Sequence, residues 1–107
     1  MTFNQINERL AREVMGLKLI LPHKQYCTDT DSGIVRKYFY HEWNPYTNIS
    51  QAFMCVDKMR ERGYVLTYDN TSTHTACFET PDENHIGATA DTPSQAICLA
   101  IIKVLDQ

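Results

Sequence analysis

His74 and Cys77 come closest to a metal-ligating pair in this chain, an H-x-x-C spacing inside the alternating stretch His74 to Thr80. That alternation predicts a strand, where an odd separation sends two side chains to opposite faces, so the pair cannot share one metal ion. No second pair completes a zinc site. Asp29-Thr30-Asp31-Ser32-Gly33 has the acidic spacing of a calcium loop, but its glycine comes one position early. Tyr40 also stands where such a loop needs a bidentate glutamate. A turn in which Asp and Ser bond to their own backbone accounts for those residues. Cys55 and Cys98 lie among Met, Val, Ile and Leu on apolar helical faces, the setting of packed thiols rather than of nucleophiles. No G-x-S-x-G, H-E-x-x-H or phosphate-cradling loop is present, and four glycines leave little room for one. The expectation is a protein without catalytic residues, metal or cofactor, not an enzyme.

The densest unusual chemistry is aromatic. Arg36-Lys37 leads into Tyr38-Phe39-Tyr40-His41-Glu42-Trp43-Asn44-Pro45-Tyr46. Rings beside a cation can stack on a base or a partner's side chain, and exposed Tyr and Trp anchor interfaces. Aromatics also fill strand faces, which suits Tyr38 and Phe39. Arg36, Tyr40, His41, Trp43 and Tyr46 are therefore the candidate binding residues.

Three helices must position this segment. Phe3, Ile6, Leu10 and Val14 recur at helical spacing, with Thr2 as cap, Gln5 as its capping-box partner and Gly16 as a left-handed stop, predicting a helix over about 3 to 15. Asn48 and Gln51 open a second helix over about 49 to 62, with Ile49, Ala52, Phe53, Val56 and Met59 on one face. Thr92-Pro93-Ser94-Gln95 opens the third, whose Ile97, Leu99, Ala100, Ile101, Val104 and Leu105 make it the most buried. Strands are expected over 17–21, 33–41, 64–68, 74–80 and 86–90, the last three as a meander, with Pro22 to Ser32 read as a loop. The order α-β-β-α-β-β-β-α predicts an α+β fold, an antiparallel sheet covered by helices in one domain spanning 1–107.

Composition sets outer bounds. The chain is 43% hydrophobic and 21% charged, as globular domains are. Its net charge of −3 gives no electrostatic footprint for nucleic acid or anionic membranes. Its longest apolar run, Ala96 to Ile102, is far short of the roughly 20 residues a membrane span requires. Four scattered cysteines and an N-terminus without a basic-then-apolar leader suggest reduced thiols and a cytoplasmic setting. From Asn48 onward the element order is that of a double-stranded-RNA-binding module. Such a module needs basic residues at the start of its last helix, and Asp91, Thr92, Pro93, Ser94 and Gln95 stand there instead. RNA is not expected as a partner.

Three segments together resemble the phage ABA sandwich domain family: Glu8 to Leu19, Trp43-Asn44-Pro45 through Met59, and Ala90-Asp91-Thr92-Pro93 with Ala96-Ile97-Cys98. The chain differs from the family pattern in its Tyr38 to Trp43 run and in Leu17, where tryptophan is usual. The resemblance implies a sandwich of helices and sheet, a phage origin and hence the bacterial host's cytoplasm, and it brings no catalytic residues. The setting points to a binding protein whose partner is a host protein, such as a component of antiviral defence. A small nucleotide signal held by Arg36, Tyr40, His41 and Trp43 is the alternative ligand, and a second copy of the chain is a further expected partner.

Overall fold

A computed structural model describes residues 1–20, 25–30, 33–69 and 73–107. Helix α1 (Phe3–Arg9) begins at a complete capping box: the Thr2 hydroxyl accepts from the Gln5 amide, and the Gln5 side chain accepts from the Thr2 amide. The helix then widens into a π-helical turn, Leu10–Val14, closed by the Met15 amide bonding the Leu10 carbonyl at 3.0 Å. Gly16, at a φ of +68°, ends it in the left-handed region. The orphan carbonyls of Glu13 and Val14 accept from the Arg62 guanidinium at 2.7 and 3.0 Å, tying this end to the far end of the second helix.

Strands β1 (Lys18–Ile20), β2 (Gln25–Thr30) and β3 (Gly33–Phe39) form one antiparallel sheet in that order. A 3-10 turn (Tyr40–Glu42) leads to α2 (Ile49–Glu61). A second antiparallel sheet follows, β4 (Val65–Asp69), β5 (His74–Glu79) and β6 (His85–Ala90), and α3 (Pro93–Leu105) closes the chain. The α+β class and the antiparallel meander over the last three strands stand as the sequence implies. The sheet count does not, because residues 25–30, expected in a loop, form the central strand of a separate sheet. Its pattern is disguised by a bulge: Tyr26 pairs with Tyr38 while Cys27 pairs with Arg36, so Lys37 is skipped. Tyr26 and Cys27 are then both buried although adjacent, which breaks the alternation by which a strand is read. Of the expected loop, 22–24 and 31–32 lie outside the described residues, as do Leu21 at the end of the first expected strand and the link 70–72.

The architecture is thus an α-β-β-β unit twice over, completed by α3. The third helix packs against β5 and β6, while α2 touches α3, β4 and the π-helical turn. Ala76, Phe78 and Ala88, alternate residues on one face of the second sheet, are buried with Ala96, Ile97, Ala100 and Ile101 of α3 in one hydrophobic cluster. Tyr26 of the first sheet, Leu10 and Val14 after α1, and Val56 and Met59 of α2 belong to the same cluster. Burying a side chain of this size contributes roughly 1.5–3 kcal/mol.

Candidate functional site

The aromatic run becomes a hydrogen-bonded bend between β3 and α2. Trp43, only 3% exposed, turns inward and donates from Nε1 to the Asn7 carbonyl at 2.7 Å. The Asn7 side chain, buried itself, donates from Nδ2 to Asn44 Oδ1 at 2.9 Å and accepts the Tyr46 amide at 3.1 Å. Gln51 holds the other side: its Oε1 accepts the Asn44 amide at 2.6 Å, and its Nε2 donates to the Glu42 carbonyl at 2.7 Å. Ser94, at the start of α3, donates its hydroxyl to the Tyr46 carbonyl at 3.0 Å. Three helices therefore each contribute one polar side chain to a single bend. A partly buried network of this kind favours one conformation, because an unpaired member on its buried side, such as Asn7, would carry a desolvation cost.

This arrangement redistributes the expected binding residues. Trp43 is a core anchor, not a partner-facing ring, because its indole N–H is satisfied inside the protein. Tyr40 is half-buried and stacks on the buried Tyr26 with ring centroids 5.8 Å apart. Tyr38 lies 5.1 Å from Trp43 by ring centroid and donates its hydroxyl to Met54 Sδ, and burial raises its phenol above the ordinary range. His41 is exposed, and Tyr46 is half-buried with its backbone held on both sides. Arg36 lies on β3 at the bulge, and its side chain is outside the described residues. The structure thus brings Tyr40, His41 and Tyr46 to one bend and withdraws Trp43 from its surface.

Beside the bend lies a feature that the helical period conceals. Ile49 and Phe53, expected on the inward face of α2, are 39% and 48% exposed. Ala52, Cys55, Val56 and Met59 carry the burial instead. Ile49 and Phe53 stand one turn apart, forming an apolar stripe that starts where the bend ends. The polar residues that support it, Asn7 and Gln51, read in sequence only as helix surface and as a cap partner.

A separate open groove of about 520 Å³ runs along α1, lined by Met1, Gln5, Glu8, Arg9 and Arg12. Arg9 is committed to Glu13 at 2.6 Å and to Asp106 at 2.9 Å, and the first contact holds the Glu13 carboxyl below its ordinary range. None of the expected nucleotide-contacting residues lines this groove. Burial pushes the Cys55 thiol up to about 12 and raises Cys98 as well, so both stay protonated packing groups. Among the described residues no group of three His, Cys, Asp or Glu side chains could hold a metal ion. No helix among them is long and apolar enough to cross a membrane.

Residues 8–102 match the model of the phage ABA sandwich domain. The chain belongs to that family. Membership suggests a small phage protein. No curated protein and no solved structure matches the chain. Within the matched span, Trp43-Asn44-Pro45, Asn48 and Thr92-Pro93 serve the bend, its flanking caps or the core.

Proposed function

We propose that this ABA sandwich protein acts by binding, without catalysis, and that its partner is a host protein, a component of bacterial antiviral defence by setting. The observation that carries this reading is the apolar stripe of Ile49 and Phe53 rising from a bend whose backbone is held by Asn7, Gln51 and Ser94. Large apolar side chains left in water on a pre-organised element lose little conformational freedom when covered, which is what an interface anchor requires. His41 at the rim and the edge of Tyr40 add polar and aromatic contacts. Affinity capture from bacterial lysate tests the reading. The wild type should retain a host protein that an Ile49→Asp/Phe53→Asp variant of unchanged melting temperature releases. Equal retention by both would exclude this surface.

The groove along α1 favours a second reading, a nucleotide signal whose phosphates meet the guanidinium of Arg12, Arg9 being held by Glu13 and Asp106. Saturating a panel of cyclic and linear nucleotides should then raise the melting temperature, an effect lost in Arg12→Ala. RNA binding is disfavoured by the α3 start, where Ser94 is occupied with the bend, and by Lys103, whose ammonium is engaged at the Gly87 carbonyl.

A further inference from the structure

The two edges of the second sheet are finished differently. The Thr80 amide donates to the Asn84 carbonyl at 2.8 Å, so these two residues form the hydrogen-bonded pair that closes the hairpin between β5 and β6. Bonded and non-bonded pairs alternate along an antiparallel ladder. Phe78, Ala76 and His74 therefore turn their backbone groups to β6, whereas Glu79, Cys77 and Thr75 turn theirs to β4. The same alternation points the Gly87 carbonyl away from β5, and there it accepts from Lys103 Nζ at 3.0 Å. The outer edge of β6 is thus met by a lysine, one of the devices that keep sheet edges from pairing.

Carried one strand further, the alternation gives Val65, Thr67 and Asp69 their bonds to β5 and leaves the amides and carbonyls of Leu66 and Tyr68 pointing outward. Among the described residues no further strand pairs with this edge. Val65-Leu66-Thr67-Tyr68-Asp69 contains no lysine, proline or glycine, and its register against β5 runs without a bulge. All of these residues but Leu66 are exposed, Val65 to 54%. An edge so open is a template for another strand.

The strand is complementary to itself. When two copies run antiparallel with Leu66 opposite Tyr68, all four outward groups of each copy find partners, giving four backbone bonds. Thr67 then faces Thr67 of the second copy across a twofold axis. That pair lies on the face away from α3, where Thr75 and Thr89 hydroxyls already stand 3.1 Å apart across the ladder. Asp69 falls opposite Val65 of the second copy, so no two carboxylates oppose each other. Leu66 and the exposed Tyr68 cover one another on the inner face.

We propose that the β4 edge is a homodimer interface, in which two copies pair about Thr67 to make one six-stranded antiparallel sheet. Four backbone bonds over five residues make a small contact, so association depends on concentration. The pairing does not use Ile49 or Phe53, and the Ile49→Asp/Phe53→Asp variant should dimerise as the wild type does.

Sedimentation equilibrium of the full chain over a concentration series tests the proposal, with far-ultraviolet circular dichroism confirming that each variant is folded. The wild type should pass from monomer to dimer. Thr67→Lys and Thr67→Glu, each placing like charges on the axis, should each weaken the dimer about fivefold or more. Mixing the two variants should restore it, because opposite charges then meet. Tyr68→Pro removes an outward amide without touching a bond to β5, and should abolish dimerisation. A wild type that stays monomeric at every concentration would overturn the proposal. So would a dimer that both charge variants leave unchanged, or a mixture of the two that fails to recover it.

Discussion

Asn7 and Trp43 show how much one buried polar contact can decide. A tryptophan beside Asn-Pro in an aromatic run satisfies the sequence criteria for an interface anchor and for a core residue alike. What separates them is a hydrogen bond to the backbone of a residue 36 positions away, which local spacing cannot express. Asn7 is similarly hidden, since an asparagine between Ile6 and Leu10 looks like helix surface until the bend folds over it. Trp43→Phe keeps most of the ring but loses the indole bond to the Asn7 carbonyl, which then accepts only from the Leu10 amide, and leaves part of the indole's space unfilled. The change should cost about 1–3 kcal/mol. Asn7→Leu should cost a comparable amount by leaving the Tyr46 amide without its acceptor, again about 1–3 kcal/mol. Urea denaturation measures both, and the double variant should be less destabilised than the sum, because the two residues share one network.

Helix starts were the most legible elements. Thr2, Asn48 and Thr92 each accept the amide three residues on, as the spacing predicts. Only the first is a full reciprocal box, since Gln51 turns its side chain to the bend. Thr92→Ala should therefore cost about 1 kcal/mol, a normal cap loss, seen as a lowered denaturation midpoint. Gln51→Ala should leave the Asn48 cap intact yet loosen the bend, seen as faster amide exchange at Asn44. Strands were legible where alternation was clean, as in β5, and hidden where a bulge placed Tyr26 and Cys27 on the inside together. The exposed stripe was hidden for a related reason. Helical period gives a wide apolar arc, and only the packing of α3 and the sheets decides which part is covered, leaving Phe3, Ile49 and Phe53 in water.

For the whole molecule, burial of ionisable groups sets a pH window. Desolvation raises Cys55 to about 12 and Tyr26 to about 12, from ordinary values of 9.0 and 10.0, and also raises Cys98. A raised folded-state value means that the folded form holds its proton longer than the unfolded chain does. The associated stability is complete below about pH 9 and is lost progressively as pH rises toward 12. Thermal melts should therefore fall steeply between those values, and Cys55→Ala should flatten the decline. On the acid side, Glu13 is held down chiefly by its hydrogen bond to Arg9, so its contribution is present above its ordinary value of 4.5 and drains below it. Because the pair lies at the surface with the Glu13 carboxyl 42% exposed, that acid limb should be shallow, under about 1 kcal/mol.

The match to the ABA sandwich family covers residues 8–102, and the proposed binding surface on Ile49 and Phe53 lies within that span, beside the bend. Hydrogen–deuterium exchange of the chain alone and bound to the captured host protein tests that placement most directly. New protection should fall on residues 40–53, across the bend and the first turns of α2. Protection confined to the outer face of β4, β5 and β6, or to the groove along α1, with 40–53 unchanged, would contradict it.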